Sequence, residues 1–337
     1  MTPATASDFW RGKTALVTGV MGFLGPHLCL ALLERGARVW GVFRDVPQMS
    51  NFGLLGLEDR VELVQADCAN LSAMQHALDE SRAEVVFHLA AQAIVGTAKR
   101  FPFETLETNV RGTYSVLEAA RHAHEEGRGP LRGLVVASSY NAYGAQEALP
   151  YQEGFALLGR HPYDASKACA DTLAQGYAET YRLPVAVTRC SNLYGHGDFN
   201  LTRLIPSTTC AVLRGQRPVI HSDGSPVRDY LHVEDAVAGY LAIAEQLDRP
   251  QVRGEAFNLG TECPVSVLEL CREIIGAVGR EDIVPDVKGD ANGGLDRQYL
   301  SSGKAARVLG WRAAVPRAEG LARTVAWYRE QIQAGNV

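Results

Sequence analysis

Apolar positions in the first 190 residues follow two different periods. Short runs at 13–18, 38–43, 61–64, 84–88, 131–137 and 185–188 are mostly apolar and rich in valine, as strands buried on both faces are. The stretches 71–80, 104–122 and 164–181 are longer and repeat their apolar residues at helical spacing. Strand and helix in alternation predict an α/β fold built on a parallel, doubly wound sheet. Beyond Cys190 the pattern loosens around Gly195-His196-Gly197-Asp198, Pro206 and Pro218, so a smaller, mixed α/β C-terminal lobe is expected there. The stretches 229–244 and 256–260 regain the earlier pattern. The expected division is therefore interleaved: 8–190 with 229–260 in the first lobe, 191–228 and 261–337 in the second. Two connections rich in Gly and Pro, 144–162 and 289–294, are long enough to face a ligand.

The first strand runs into Thr18-Gly19-Val20-Met21-Gly22-Phe23-Leu24-Gly25 and then an apolar-periodic helix. Glycine spacing alone is a weak signal. Between a first strand and a first helix, however, Gly19, Gly22 and Gly25, with Phe23 and Leu24, form the turn that sets backbone N–H groups against a pyrophosphate, which makes the sheet Rossmann-like. The end of the second strand carries mixed instructions: Asp45 suits the ribose hydroxyl of NAD, whereas Arg44 suits the extra phosphate of NADP. NAD is the expected cofactor, with NADP left open. Asp67, in Ala66-Asp67-Cys68 after the third strand, is a candidate for the adenine edge, or else an aspartate that caps its own turn.

Composition narrows the partners. A formal net charge of −5, without blocks of like charge, argues against nucleic acid or an anionic membrane surface. The N-terminal residues lack a basic-then-apolar leader pattern, and no apolar run approaches the roughly 18 residues of a spanning helix, so a cytoplasmic protein is expected. The seven cysteines are scattered with no CxxC, which reads as reduced, buried thiols and no metal site.

Tyr163-Asp164-Ala165-Ser166-Lys167 opens the last of the three helices, where side chains four apart share a face. A phenol with a pKa of about 10 is a poor base near neutrality. An ammonium beside it and a nicotinamide charge would favour the phenolate, so Lys167 is expected to activate Tyr163. Ser139 closes the fifth strand at the carboxyl edge of the sheet, where it either orients a reacting hydroxyl or caps the following turn.

In this order the motifs resemble the extended short-chain dehydrogenase/reductase family of nucleotide-sugar epimerases and dehydratases, over 9–328. The likeness also rests on His88-Leu89-Ala90-Ala91-Gln92, Asn109-Val110-Arg111-Gly112-Thr113, Arg189-Cys190-Ser191-Asn192-Leu193-Tyr194-Gly195 and Arg228-Asp229-Tyr230-Leu231-His232-Val233. Ala91-Gln92-Ala93-Ile94-Val95-Gly96-Thr97 and Gly159-Arg160-His161-Pro162-Tyr163 are closest in wording to the CDP-glucose 4,6-dehydratase group. The resemblance implies NAD lying along Cys68, Leu89, Ala90, Ala91, Gln92 and Asn109, together with Tyr163 and Lys167. It implies a nucleotide-sugar substrate held by Asn192, Arg203, Arg228 and Arg297, and a homodimer formed through the helices at 104–122 and 164–181.

One break is chemical. Dehydratases of this family follow the serine or threonine with Asp-Glu or Asp-Lys as acid and base, and here Tyr140 and Asn141 stand there. Asn141 can do neither job, and Tyr140 can donate a proton only as a weak acid. Three readings follow. One is a dehydratase that oxidises C4 transiently and eliminates water across C5–C6, with a variant that leaves an exocyclic alkene on a nucleotide sugar or a related nucleoside. The second is an epimerase, which needs no acid–base pair, and the third a non-catalytic NAD-binding protein.

Overall fold

The computed structural model describes residues 8–127, 129–289 and 296–337. Seven parallel strands form the central sheet: β1 (Thr14–Thr18), β2 (Arg38–Phe43), β3 (Glu62–Gln65), β4 (Val85–His88), β5 (Gly133–Ala137), β6 (Val185–Cys190) and β7 (Ala256–Leu259). Their order is β7-β6-β5-β4-β1-β2-β3, so the chain winds outward from β1 in one direction and then from β4 in the other. The helices α1 (Leu24–Glu34), α2 (Leu71–Ser81), α3 (Gly112–Glu125), α4 (Pro162–Tyr181) and α5 (Val233–Ala244) cover the two faces.

Register explains why these strands read as unbroken apolar runs. Val17, Phe87, Val135 and Ala186 lie side by side across four strands, all fully buried, and feed one core. Their neighbours Leu16, Val86, Leu134 and Val185 point the other way into a second core beneath α2, α3 and α4. With both faces covered there is no polar side to alternate towards. β7 comes late in the chain but pairs with β6, so residues after 229 do contribute to this sheet.

The expected single helix over 104–122 is three pieces: Pro102–Leu106, a π turn at Glu107–Arg111, and α3. The widened turn coincides with Asn109, whose side chain bonds inward to Gln92 and Ser166. Outside the sheet, helices Leu204–Leu213, Val267–Val278 and Arg317–Gln333 pack together, with short strands that include Val227–Arg228 and Arg297–Gln298. Of the 289–294 loop expected to face a ligand, only Gly289 falls among the described residues. No described helix is long and apolar enough to cross a membrane.

Candidate active site

A cleft of about 1210 Å³ opens over the carboxyl ends of β1, β2 and β4–β6 and is closed on the far side by the C-terminal elements. The glycine turn forms one wall. Gly19 has φ +74°, and a Cβ there would lie 2.9 Å from the Ala90 backbone. At Gly25 a Cβ would fall 2.6 Å from the Gly19 carbonyl oxygen, so this glycine lets α1 sit against β1. Gly22 differs: its Cβ would meet only the Gly19 oxygen, at 3.2 Å, which leaves the turn open towards the cleft. No side chain caps α1. An open cradle at an uncapped helix N-terminus fits the pyrophosphate of a dinucleotide.

Behind the turn is a bonded chain that the sequence did not advertise. The Thr18 hydroxyl accepts from the backbone N–H groups of Leu89 and Ala90, at 3.2 and 3.1 Å, and pairs with His88 Nδ1 at 2.9 Å. His88 Nε2 pairs with Thr113 Oγ1, which donates to the Asn109 carbonyl. Burial holds the His88 pKa down at about 3, so the ring is neutral and donates from one nitrogen while accepting at the other.

Phe23, Leu24, Asp67, Cys68, Leu89, Ala90 and Ala91 all line the cleft, as expected. Asp67 Oδ1 also accepts from Ala69 N–H at 2.9 Å, so it caps its turn as well as facing the cleft. Arg44 and Asp45 meet each other, Nε to Oδ2 at 2.6 Å, at the cleft edge. Gln92 and Asn109 do not reach the cleft lining. The Asn109 side chain clamps the Gln92 backbone, at 2.7 and 3.0 Å, and donates to Ser166 at 2.9 Å, tying the loop after β4 to α4. Both therefore support the cleft wall from behind.

At the centre of the cleft Ser139, Tyr140, Asn141, Tyr163 and Lys167 come together. Ser139 caps the 3-10 turn Tyr140–Tyr143 by accepting from Asn141 N–H at 3.2 Å, and its side chain lies near Tyr163. The two readings of this serine are thus compatible. Lys167 departs from expectation. Its ammonium donates to the Ala137 carbonyl at 2.8 Å, and burial lowers its pKa to about 8. The Tyr163 pKa is raised rather than lowered, because burial outweighs the Ser139 bond and the nearby charge of Arg203. The protein's own groups hold Tyr163 as a phenol.

Tyr140 is almost fully buried, with the Asn192 side chain and the Arg228 charge near its hydroxyl. Burial raises its pKa, which keeps it a proton donor. Asn192, Arg203 and Arg228 line the cleft on the C-terminal side. Arg203 is held by the buried Asp198 at 2.9 Å, and Arg228 donates to the Val227 carbonyl at 2.8 Å. Arg297 is a correction. Its strand partner Gln298 is buried and reaches the Tyr140 carbonyl, so alternation sends Arg297 outward, where it is exposed with its guanidinium 5.8 Å from the Tyr299 ring.

Cys190 also lines this part of the cleft, although nothing in its spacing marked it. His196, His232 and Glu234 offer ligand atoms within 4.8 Å of one another, but both Glu234 oxygens are already bonded to Arg323.

The sequence model of one family, GDP-mannose 4,6 dehydratase, matches residues 16–324, which include the glycine turn, Ser139, Tyr163 and Lys167. The chain belongs to that family. Among its relatives, a dTDP-glucose 4,6-dehydratase of Streptomyces antibioticus is 35% identical, over 94% of this chain and 92% of the relative. A UDP-glucose 4-epimerase of Mycolicibacterium smegmatis is 34% identical, over 94% and 99%. The crystal structure of a Streptomyces venezuelae dTDP-glucose 4,6-dehydratase with NAD bound matches at a TM-score of 0.83 and 28% identity, covering 95% of this chain and 98% of that one. Dehydratases and epimerases of this family thus resemble the chain about equally, and the side chains in the cleft must discriminate.

Proposed function

We propose that this protein is an NAD-dependent nucleotide-sugar dehydratase that works through a transient C4 ketone. The observation that carries the reading is the convergence of Ser139, Tyr163 and Lys167 at the carboxyl edge of the sheet, between the glycine cradle and Asn192, Arg203 and Arg228. The first lobe, 8–190 with 229–260, holds the cofactor. The second, 191–228 with 261–337, holds the substrate.

Gly19, Gly22, Gly25, Phe23 and Leu24 would take the NAD pyrophosphate, with the adenosine towards Arg44, Asp45, Asp67 and Cys68. NAD held there would supply the hydride chemistry, acceptance from C4 and a later return. Tyr163 would take the C4 hydroxyl proton as its phenolate, the form that the Lys167 ammonium and the nicotinamide charge of bound NAD would favour over the phenol the protein alone holds, and Ser139 would hold the same hydroxyl in line. Lys167, fixed on the Ala137 carbonyl, keeps a positive charge at the base of the site. Arg228 and Arg203 neutralise the substrate pyrophosphate.

The C4 ketone acidifies the C5 proton. Asn141 cannot take that proton, so Tyr140 serves both ends of a syn elimination. Its O–H proton passes to the departing C6 hydroxyl while its oxygen takes the proton from C5. One water leaves, a C5–C6 double bond forms, and the phenol is regenerated. Hydride return to C6 with a proton to C5 gives the 4-keto-6-deoxy sugar, whereas hydride return to C4 with a proton to its oxygen leaves an exocyclic alkene. Epimerisation is the second reading, favoured by the absence of a carboxylate at 140 and 141.

The enzyme is read as a homodimer, because Phe101, Phe103, Leu106, Tyr114 and Tyr181 leave apolar surface exposed around α3 and α4. Incubation with CDP-, dTDP- and UDP-glucose and GDP-mannose tests the function. Loss of one water by mass supports the dehydratase, and unchanged mass with altered sugar couplings means an epimerase. Retained NAD without turnover would refute both.

A further inference from the structure

Beneath the Tyr140–Tyr143 turn lies a buried polar network to which no step above assigns a part. Arg189, on β6, makes a two-pronged pair with Asp171 at 2.8 and 2.9 Å, with side chains 3% and 0% exposed. Asp171 stands one helical turn beyond Lys167 on α4. The remaining arm of Arg189 donates to the Tyr143 hydroxyl at 2.8 Å and to the Glu153 carbonyl at 3.0 Å. Tyr143 donates in turn to Asn258 on β7 at 2.7 Å, and Asn258 reaches back to Tyr151 and Glu153. Every strong donor and acceptor in this set has a partner. Its geometry crosslinks α4, β6, β7 and the 151–153 loop to one end of a four-residue turn whose other end carries Tyr140 and Asn141.

We propose that Tyr143, fixed by the Arg189–Asp171 pair, is a positioning residue that aims Tyr140 at the sugar for the elimination half of the reaction and contributes nothing to the oxidation half. The separation follows from connectivity. Ser139 caps the turn at the end opposite Tyr143, and Tyr163 lies at the start of α4; the Tyr143 hydroxyl bonds to neither, its partners being Asn258 and Arg189. Tyr140 is held through its own short turn and by packing in one apolar cluster with Tyr143, Tyr151 and Leu300, with Gln298 touching its carbonyl at 3.5 Å. Tyr143 closes the turn that Tyr140 opens and shares an apolar cluster with it, so release of the Tyr143 hydroxyl is transmitted to Tyr140 as a shift of the phenol. Misplacement by about 1 Å costs on the order of 10²-fold in a proton-transfer step.

The inference rests on the dehydratase reading, and Tyr143→Phe tests it. The substitution keeps the ring, including its stacking beneath the Arg189 guanidinium 4.9 Å away, and removes only the hydroxyl. NAD-loaded wild type and variant are mixed in single turnover with whichever of CDP-, dTDP- and UDP-glucose and GDP-mannose the wild type oxidises. The appearance of reduced cofactor and the release of product are followed separately. Reduced cofactor should appear within about twofold of the wild-type rate, while product release slows roughly 10- to 100-fold, so that reduced cofactor accumulates in the variant alone. Gln298→Leu, which loosens the other contact to the turn, should produce the same accumulation to a smaller degree, and it carries the test if Tyr143→Phe does not fold. Parallel slowing of both halves, as a general loss of structure would give, or unchanged product release, would overturn this inference alone. Failure of the wild type to reduce its cofactor with any of the four sugars would overturn the functional reading and this inference with it.

Discussion

Two of the three glycines in the cofactor turn should respond in opposite ways to the same added methyl group. At Gly25 an alanine Cβ would sit 2.6 Å from the Gly19 oxygen and 2.7 Å from the Val20 Cα, both backbone atoms between β1 and α1. Ordinary contact begins at 3.4 Å, so α1 must retreat by about 0.8 Å from the strand it packs against. Overpacking of this kind costs about 1–3 kcal/mol. At Gly22 the new Cβ meets only one atom, at 3.2 Å, and no positive φ opposes the substitution. The strain there is small and is offset by the ~0.4–1 kcal/mol gained by restricting the unfolded chain, so net stability should barely change. The methyl group nevertheless points into space a pyrophosphate would occupy. Urea denaturation followed by circular dichroism, together with calorimetric NAD titration, separates the two effects. Gly25→Ala should lose stability by about 1–3 kcal/mol, and Gly22→Ala should keep it while binding NAD at least about tenfold more weakly. Wild-type NAD affinity in Gly22→Ala would refute the assignment of this turn to the pyrophosphate.

Other expectations follow from the same geometry. Tyr163→Phe should abolish turnover and leave NAD affinity within about twofold, since only the hydroxyl that accepts the C4 proton is lost; near-normal activity would remove Tyr163 from its role. The double substitution Tyr140→Asp with Asn141→Lys should introduce or raise 4-keto-6-deoxy product, measured by mass and NMR; no such product would mean that the pocket differs in more than these two groups. Burial lowers His88 to about 3, His27 and His232 to about 4, and His196 in the same direction. The unfolded chain therefore binds more protons than the folded one below about pH 6.5, and stability should fall as pH drops from there towards 4. A urea midpoint that stays flat across that window would contradict the neutral, buried state of these rings.

How much of this was legible beforehand depended on the range of the interaction involved. Periodicity located the strands within a few residues and the α4 helix within two, because burial on both faces of a strand, or one face of a helix, leaves its mark on every residue of the element. The glycine turn was readable for a related reason, since close backbone approach is a local constraint. The π turn was not readable, because the geometry around Asn109 depends on Gln92 and Ser166, residues brought near by two different elements.

Chain order by itself therefore determined the α/β class, the doubly wound sheet and the position of the glycine turn. Only the tertiary structure decided what each polar side chain spends its bonds on. Lys167 is committed to the Ala137 carbonyl, Arg297 is turned outward by the burial of Gln298, Arg44 is met by Asp45, and Arg189 finds Asp171 across two elements. The reason is physical: apolar burial is non-directional and accumulates along a segment, whereas a hydrogen bond needs one particular partner at about 3 Å, and that partner is chosen by the folded chain.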